Sequence, residues 1–213
     1  MSFVEHAVIA AAGLGSRLGR GHPKCLLEIR GRTILERQLR LLEAVPEVRV
    51  VVGFEEQQVI AAARAVRPDI VFVRNAAYRS TSTLRSYAMG AQGLTENCLF
   101  MDADILFEPA SFASFVAACK PGESMIAVTA AKTNDAVYAH LENGKVTRFS
   151  RTAASEFEWA NLCWLPPGYC EKGEGAVFER LAGDVPLKSR VIESFEIDTP
   201  DDHEKALKNA RFI

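Results

Sequence analysis

The chain has 213 residues, of which 48% are apolar and 24% are charged, with a formal net charge of -2. This composition excludes a disordered protein, and the lack of a Lys/Arg run removes the basic footprint of a nucleic-acid-binding protein. The longest apolar stretch near the N-terminus, residues 7–12, is too short to span a membrane. We therefore predict one globular domain whose partners include neither nucleic acid nor a membrane.

The first half of the chain alternates short apolar runs with amphipathic segments. Strands are predicted at residues 7–11, 48–52, 70–73 and 98–101, and helices at residues 55–66, 84–89 and 110–118. A further helix is predicted to begin after Thr33, because Thr33 and Glu36 have the spacing of a capping box. This alternation predicts an α/β fold with a mostly parallel central sheet and helices on both faces.

The second half of the chain departs from this alternation. After a predicted strand at 125–128, Asn143-Gly144 lies between extended stretches and predicts a small β-hairpin. The remaining predicted elements are strands at 156–165 and 191–197 and a helix at 175–181. Thr199 as N-cap, followed by Pro200, predicts a C-terminal helix.

The cysteine pattern indicates the redox compartment. Five cysteines are present, with no C-x-x-C pair and no zinc spacing: Cys25, Cys98, Cys119, Cys163 and Cys170. An odd number of thiols without a framework of pairs is typical of a reduced, cytoplasmic protein. No Lys or Arg precedes the first apolar run, so a signal peptide is not expected.

A glycine-rich loop, Gly13-Leu14-Gly15-Ser16-Arg17-Leu18-Gly19, follows the first predicted strand. Glycines let the backbone approach phosphates, and successive amides can cradle anionic oxygens. A dinucleotide-binding loop passes directly into a helix, whereas Gly21 and Pro23 interrupt one here. A P-loop requires Lys followed by Ser or Thr, whereas Lys24 precedes Cys25. The loop therefore fits neither of these two nucleotide-binding patterns.

Three stretches resemble a known superfamily. They are Ala10-Ala11-Ala12-Gly13-Leu14-Gly15-Ser16-Arg17-Leu18-Gly19 with Pro23-Lys24, then Leu26-Leu27-Glu28-Ile29, and Glu196-Ile197-Asp198-Thr199-Pro200-Asp201-Asp202. Together they resemble the sugar-phosphate and MobA-like nucleotidyltransferases. The resemblance implies a Rossmann-like, GT-A-like fold over residues 1–213. It also implies a nucleotide-binding half at about 1–105 and an acceptor-binding half at about 106–213.

The resemblance implies a reaction and its catalytic residues. A phosphate oxygen of the acceptor attacks the α-phosphorus of an NTP, and pyrophosphate leaves. Both reactants are anions, so the site must neutralise charge and hold them in line. Arg17 is implied on the β and γ phosphates and Lys24 near the α-phosphate. Asp104 and Asp198 are implied as ligands of Mg²⁺, which prefers carboxylate oxygens, while Asp102 either joins them or caps a turn.

The nucleotide contacts are expected from the glycine-rich loop and from a polar segment before the third helix. The predicted nucleotide-binding residues are Ala11, Ala12, Gly13, Gly15, Ser16, Arg17, Lys24, Ser82, Thr83 and Ser86. Asn75, Tyr78 and the run 80–86 resemble the phosphocholine and aminoethylphosphonate cytidylyltransferase branch, although Ser82 stands where that branch commonly has Asn. The expected nucleotide is therefore CTP. The hydroxyls would read a base edge, or Ser82 would simply cap the helix.

The acceptor is expected near residues 156–164. A regular strand places Trp159 and Asn161 on one face and Glu158 on the other. A cationic head group such as choline favours an aromatic face beside a carboxylate, which Trp159 with Glu156 or Glu158 would supply. Glu158, Trp159 and Asn161 are thus the predicted acceptor-binding residues. Packing of the aromatic side chains in the core, or at the surface of a homodimer, is the alternative.

The sequence thus predicts a Mg²⁺-dependent enzyme that transfers CMP from CTP to a small phosphomonoester or phosphonate, such as phosphocholine, and releases pyrophosphate. The nearer alternative keeps this chemistry with a sugar 1-phosphate as acceptor. A non-catalytic NTP-binding regulatory protein on the same fold is a second alternative. A dinucleotide-dependent oxidoreductase is a third, which the loop sequence disfavours.

Overall fold

The computed structural model describes residues 3–15, 21–132, 136–171 and 175–212. The strands are β1 (His6–Ala11), β2 (Glu28–Ile29), β3 (Arg32–Thr33), β4 (Glu47–Val52), β5 (Val71–Arg74), β6 (Cys98–Asp102), β7 (Ile105–Phe107), β8 (Met125–Ala130), β9 (Tyr138–Glu142), β10 (Lys145–Ser150), β11 (Phe157–Leu165), β12 (Leu187–Val191) and β13 (Ser194–Glu196). The helices are α1 (Ile34–Leu41), α2 (Glu56–Val66), α3 (Thr83–Ala91), α4 (Pro109–Ala118), α5 (Val177–Ala182) and α6 (Pro200–Lys208).

Within the described residues, nine strands form one sheet in the order β5-β4-β1-β6-β11-β8-β12-β10-β9. β1 pairs in parallel with β4 and β6, β4 pairs in parallel with β5, and β8 pairs in parallel with β12. β11 runs antiparallel to both β6 and β8. β10 runs antiparallel to both β12 and β9. The predicted α/β fold with a central sheet is therefore confirmed, but the sheet is mixed, since four of its eight neighbouring pairings are parallel and four are antiparallel.

Helices cover both faces of this sheet, because its central strands are apolar on both sides. In β1, Val8 and Ile9 are adjacent and fully buried, yet they belong to different cores. Ile9 lies in the core that contains Leu39 of α1 and Phe115 of α4, and Val8 in the core that contains Tyr87 of α3. Such continuous apolar strands are typical of parallel sheets buried on both faces. Every helix in the described ranges falls short of the length and apolarity that a membrane span requires.

Several local signals are confirmed by the structure. The Thr33 side chain accepts a hydrogen bond from the Glu36 N–H at 3.0 Å and caps α1. Asn143 and Gly144 have φ values of 50° and 74° and join β9 to β10 as a hairpin, as the two-residue turn requires. Thr199 caps α6, with its hydroxyl oxygen accepting from the Asp202 N–H at 3.2 Å.

The predicted last strand, residues 191–197, is confirmed only over Ser194–Glu196, which form β13. The chain instead leaves the main sheet after β12, and β13 pairs antiparallel with β7 in a separate two-stranded sheet. Contacts distant in sequence cause this bend, since Glu193 N–H donates to Ser111 Oγ at 3.0 Å and Glu193 O accepts from Glu108 N–H at 2.9 Å. The short strand β7 also went unpredicted. This arrangement carries the segment after β13 to the carboxyl end of β6.

The predicted regular strand at residues 156–165 is also interrupted. The pairing of β11 with β8 shifts register between Trp159 and Cys163, and Asn161 has a left-handed φ of 49°. A residue in this region of backbone conformation interrupts the alternation of side chains along a strand. The simple two-face pattern expected for this segment therefore does not hold at Asn161.

Candidate active site

The loop after β1 and the turn after β6 lie side by side at the carboxyl edge of the sheet. Ala10 pairs with Asp102 in the β1–β6 register, and the Ala103 N–H donates to Ala10 O at 3.2 Å. Ligands of open α/β sheets bind at this edge, where loops leave neighbouring strands in different directions. A cleft of about 170 Å³ opens there.

Most predicted nucleotide-binding residues line this cleft. Those among its lining are Ala11, Ala12, Gly13, Gly15, Lys24, Ser82, Thr83 and Ser86, together with the proposed metal ligand Asp104. The predicted Ser16 and Arg17 lie outside the described residues. The cleft thus joins the loop after β1, the N-terminal turn of α3 and the turn after β6.

Lys24 joins two carboxylates that are far from it in sequence. Its ammonium nitrogen donates to Asp104 Oδ2 at 3.2 Å and also to Asp198 Oδ1. The three side chains are only 13%, 22% and 17% exposed, for Lys24, Asp104 and Asp198 respectively. Burial lowers the pKa of Lys24, but the charges and hydrogen bonds of the two aspartates outweigh it, and the pKa lies above its usual value. Lys24 is therefore a permanent cation in the cleft.

A third carboxylate, Glu196, joins the two aspartates. Asp104, Glu196 and Asp198 each offer an oxygen, and these atoms all lie within 4.8 Å of one another. The β7–β13 pairing sets Glu196 opposite Ile105. Burial, followed by the charges of Asp104 and Asp198, raises the pKa of Glu196 to about 9. A divalent cation would relieve this repulsion, and three hard oxygen donors fit its coordination chemistry.

Asp102 faces a different partner. The Tyr87 hydroxyl of α3 donates to Asp102 Oδ1 at 2.6 Å. Burial and then the charge of Asp104 raise the pKa of Asp102 to about 8. Behind the same turn, the Gln38 amide nitrogen donates to the backbone oxygens of Asp102 and Ile105, both at 2.8 Å. Of the two roles left open for Asp102, these contacts favour the one in the turn.

Hydroxyl groups and one asparagine also line the cleft. The Asn75 amide nitrogen donates to Thr81 Oγ1 at 3.0 Å and to Ser86 Oγ at 3.2 Å. Ser82 occupies the N-cap position of α3, but its side chain makes no capping hydrogen bond. The Ser82 hydroxyl is therefore not committed to the helix end, contrary to the alternative of a simple cap.

The predicted acceptor-binding residues lie apart from the lining of this cleft. Trp159 is 8% exposed and packs in the core that contains Tyr87, so its ring offers no open face to a cationic group. Glu158 is 5% exposed, and its Oε2 accepts from the Lys132 N–H at 3.1 Å. Asn161 lies at the irregularity of β11. A pattern of alternating faces could not foresee this burial, because β11 is covered on both sides.

Two members of the site received no role from the sequence. Glu196 stands two residues before Asp198, and residues at this spacing share one side of an extended strand, which was the available signal. Asn75 belongs to the stretch that resembles the phosphocholine and aminoethylphosphonate cytidylyltransferase branch, but the sequence predicted no role for it. Its role depends on Thr81 and Ser86 folding back beside it, which no local pattern reveals.

Comparisons with known proteins show which family the chain resembles. A model of the MobA-like NTP transferase domain matches residues 7–193. The chain is 35% identical over 130 residues to CMP-5'-(3-aminopropyl)phosphonate synthase of Streptomyces rubellomurinus, covering 58% of this chain but only 20% of that relative. It is 26% identical over 214 residues to 2-C-methyl-D-erythritol 4-phosphate cytidylyltransferase of Parasynechococcus marenigrum, covering 92% of this chain and 93% of the relative.

Among solved structures, the CTP:phosphocholine cytidylyltransferase of Streptococcus pneumoniae is similar with a TM-score of 0.78 at 18% identity, covering 96% of this chain and 99% of that one. The inositol-1-phosphate CTP transferase of T. maritima gives a TM-score of 0.75 at 14% identity, covering 97% of each chain. These similarities confirm the predicted fold, and the family match confirms the prediction of a nucleotidyltransferase. The chain belongs to the MobA-like NTP transferase family.

Proposed function

We propose that the protein is a Mg²⁺-dependent cytidylyltransferase, which transfers CMP from CTP to a small phosphomonoester or phosphonate and releases pyrophosphate. One observation carries the proposal: Lys24 and Asp104, which join the Glu196 and Asp198 carboxylates, line the same cleft as several hydroxyls and an amide. A cation and metal ligands suit a triphosphate, and neutral hydrogen-bonding groups suit a base. The two kinds of group therefore match the two chemical parts of a nucleotide.

Lys24 would neutralise charge on the α-phosphate as the acceptor oxygen attacks. A preorganised cation is most effective where negative charge develops in the transition state. Gly15 leaves room for this side chain, because a Cβ built on Gly15 would lie 2.8 Å from Lys24 Cγ, and Gly15 has a φ of +62°. Backbone amides of this loop would cradle phosphate oxygens. Arg17 is proposed on the β and γ phosphates.

Asp104, Glu196 and Asp198 would hold the divalent cation, for which we propose Mg²⁺. When bound, the cation supplies charge neutralisation for the transferred phosphoryl group and the departing pyrophosphate. Tyr87 and Gln38 hold the turn that carries Asp104, through Asp102. The chain's own part is to keep three carboxylates and Lys24 fixed before the nucleotide arrives, which lowers the reorganisation needed in the transition state.

We propose that Ser82, Thr83 and Ser86 present hydroxyls to the nucleobase. Cytosine offers ring N3 and carbonyl O2 as acceptors and an exocyclic amine as donor. The relatives whose printed names contain CMP, cytidylyl or CTP support this choice of base. These three hydroxyls alone support the binding of a nucleobase without specifying which one, so the assay below includes the common NTPs.

For the acceptor, a phosphomonoester or phosphonate is the proposal, with a sugar 1-phosphate as alternative. Glu158, Trp159 and Asn161 remain the proposed acceptor region. Since Trp159 offers no open aromatic face, we propose that this region contributes by holding the neighbouring backbone in place. Glu158 holds the Lys132 backbone, and the Lys132 ammonium donates to Thr129 Oγ1 at 2.9 Å. This brings a cation to the end of β8.

The test is a pyrophosphate-release screen with Mg²⁺. CTP, UTP, GTP, ATP and dTTP are each combined with phosphocholine, 2-aminoethylphosphonate, 2-C-methylerythritol 4-phosphate and glucose 1-phosphate. We expect release with CTP and one of the first three acceptors. Release confined to glucose 1-phosphate would favour the sugar alternative, and nucleotide binding without release across the panel would favour a regulatory protein.

A further inference from the structure

A buried asparagine lies beside the hydroxyl groups that line the cleft. Asn75 follows β5, is 2% exposed, and its backbone N–H donates to Val52 O at 2.8 Å, which anchors it to the neighbouring strand. We propose that Asn75 is a positioning residue that fixes the Ser86 hydroxyl as a hydrogen-bond donor toward an acceptor atom of the cytosine ring. The inference rests on the proposed binding of CTP.

One backbone amide sets the orientation of the whole group. Asn75 Oδ1 accepts from the Ala77 N–H at 3.1 Å. A backbone N–H can only donate, so the oxygen of the amide must face Ala77 and its nitrogen must face the opposite way. That nitrogen, a donor without acceptor capacity, reaches Thr81 Oγ1 and Ser86 Oγ. Both hydroxyl oxygens are therefore compelled to accept from Asn75.

The hydroxyls of Thr81 and Ser86 differ in whether their own hydrogen is already donated. Thr81 Oγ1 donates its own hydrogen to Ala77 O at 3.1 Å. Ser86 is 5% exposed and lines the cleft, and no acceptor for its hydroxyl hydrogen is found among the described residues. Because the side of Ser86 Oγ toward Asn75 is occupied, its hydrogen is left for a ligand in the cleft. Asn75 occupies one of the two lone pairs of Ser86 Oγ, so the hydroxyl hydrogen cannot point toward Asn75 and is directed elsewhere.

The charge of the cleft decides which part of the ligand meets Ser86. Lys24 and the carboxylates suit a triphosphate and its metal, so the inference places the base against the neutral groups around Asn75. Cytosine N3 and O2 are adjacent acceptors, whereas uracil carries an N–H at position 3. A hydroxyl fixed as donor suits the cytosine edge.

Asn75→Asp tests this orientation with little change of shape. The retained oxygen still accepts from Ala77, but the former amide nitrogen becomes an acceptor, so the Ser86 hydrogen turns away from the cleft. The probes are CTP, 3-deazacytidine triphosphate, which lacks the N3 acceptor, and 2-thiocytidine triphosphate, in which sulfur, a weaker acceptor, replaces O2. Dissociation constants are measured by calorimetry with Mg²⁺. The ratio of each analogue to CTP cancels any repulsion between the new carboxylate and the triphosphate.

In the wild type, we expect one analogue to bind roughly 10- to 100-fold more weakly than CTP, the cost of one lost buried hydrogen bond. That penalty should vanish in Asn75→Asp and in Ser86→Ala. It should persist in the matched control Ser80→Ala, since the Ser80 hydroxyl donates to Ala77 O at 3.2 Å and is exposed. A merely structural role of Asn75 would weaken CTP and both analogues alike and leave the ratios unchanged.

Two outcomes overturn the inference: neither analogue is penalised in the wild type, or the penalty survives Asn75→Asp. If Asn75→Asp fails to fold by circular dichroism, Asn75→Ser replaces it, because a serine hydroxyl can accept from a nearby backbone N–H but is too short to reach Ser86. The Ser86 hydroxyl is then free to turn, so the penalty should become smaller without vanishing, and an unchanged penalty overturns the inference. A wild type that binds no CTP overturns the proposed function itself. A wild type that binds CTP with surviving penalties overturns only the role of Asn75.

Discussion

The ammonium group of Lys24 lies 3.2 Å from Asp104 Oδ2, across 80 positions of sequence, and it also contacts Asp198. The proposed catalytic cation is thus held by two of the three carboxylates proposed to hold the metal. Two cations compete for the same oxygens, so the ion pair links the nucleotide-contacting lysine to the metal site. This relationship makes the effects of removing Lys24 on turnover and on metal affinity opposite in sign.

Lys24→Met should slow turnover by roughly 10²- to 10³-fold, the usual cost of losing one preorganised contact with developing charge. The same change should tighten Mn²⁺ binding to the nucleotide-free protein by about tenfold, because a competing unit charge is removed at close range. Turnover is measured by pyrophosphate release and Mn²⁺ affinity by electron paramagnetic resonance. Lys145→Met, at an exposed position of β10, is the control and should alter neither. Unchanged or weaker Mn²⁺ binding in Lys24→Met would contradict the competition.

The carboxylates should separate into two groups. Asp104→Asn, Glu196→Gln and Asp198→Asn should each raise the Mg²⁺ concentration needed for half-maximal turnover, because each removes a proposed ligand. Pairs of these changes should cost little more than the worse single change, since residues that act as a unit are not additive. Asp102→Asn keeps an oxygen that can accept from Tyr87 and should leave the Mg²⁺ dependence unchanged. The reverse pattern, with Asp102 controlling the metal and Asp104 silent, would show that the ligands are misassigned.

Two glycines with the same backbone angle provide a matched pair. Gly15 and Gly21 both have a φ of +62°, but a Cβ on Gly15 would lie 2.8 Å from Lys24 Cγ, whereas a Cβ on Gly21 meets nothing within 4 Å. Both alanine substitutions should destabilise the fold by about 1 kcal/mol through left-handed backbone strain. Only Gly15→Ala should also slow turnover, by roughly tenfold or more, because it displaces Lys24. Urea denaturation and turnover are compared for the two variants, and equal activities would argue against a precise fit around Lys24.

Thiol reactivity tests the burial of the cysteines. All five are free and buried, and burial is the first cause that raises the pKa of Cys25 and of Cys98 to about 12. A raised pKa disfavours the reactive thiolate, so at pH 8 only about one such thiol in ten thousand is ionised. The native protein should therefore react slowly with Ellman's reagent at pH 8, and the urea-denatured protein should react at all five thiols with a midpoint near pH 8.5. Prompt reaction of the native protein would contradict the buried positions.

The parts of the fold that were predictable depend on neighbours in sequence. The Thr33 and Thr199 caps and the Asn143-Gly144 turn are local hydrogen-bonding or dihedral requirements, and the sequence states them directly. The division of residues 187–196 into two strands depends on Glu193 meeting Ser111, 82 positions away. Apolar periodicity contains no information about such a contact.

Some residues of the candidate site were likewise predictable from the sequence, and others were not. Lys24, Asp104 and Asp198 were implied by the resemblance to the nucleotidyltransferases, and the structure brings these three together. Glu196 and Trp159 were misjudged for opposite reasons, since the bend before β13 turns Glu196 into the site and the double-sided packing of β11 buries Trp159. Both depend on how layers pack, which the pattern within one strand does not specify.

The most direct measurement follows the phosphorus atoms of CTP. Wild-type protein is incubated with Mg²⁺ and the acceptor identified by the screen, using CTP labelled with ³²P at either the α or the γ position. Attack at the α-phosphorus predicts that the α label appears in a CMP–acceptor adduct and the γ label in pyrophosphate, with both transfers abolished by EDTA. Transfer of the γ label to the acceptor, or retention of the α label in CTP alone, would contradict nucleotidyl transfer by this site.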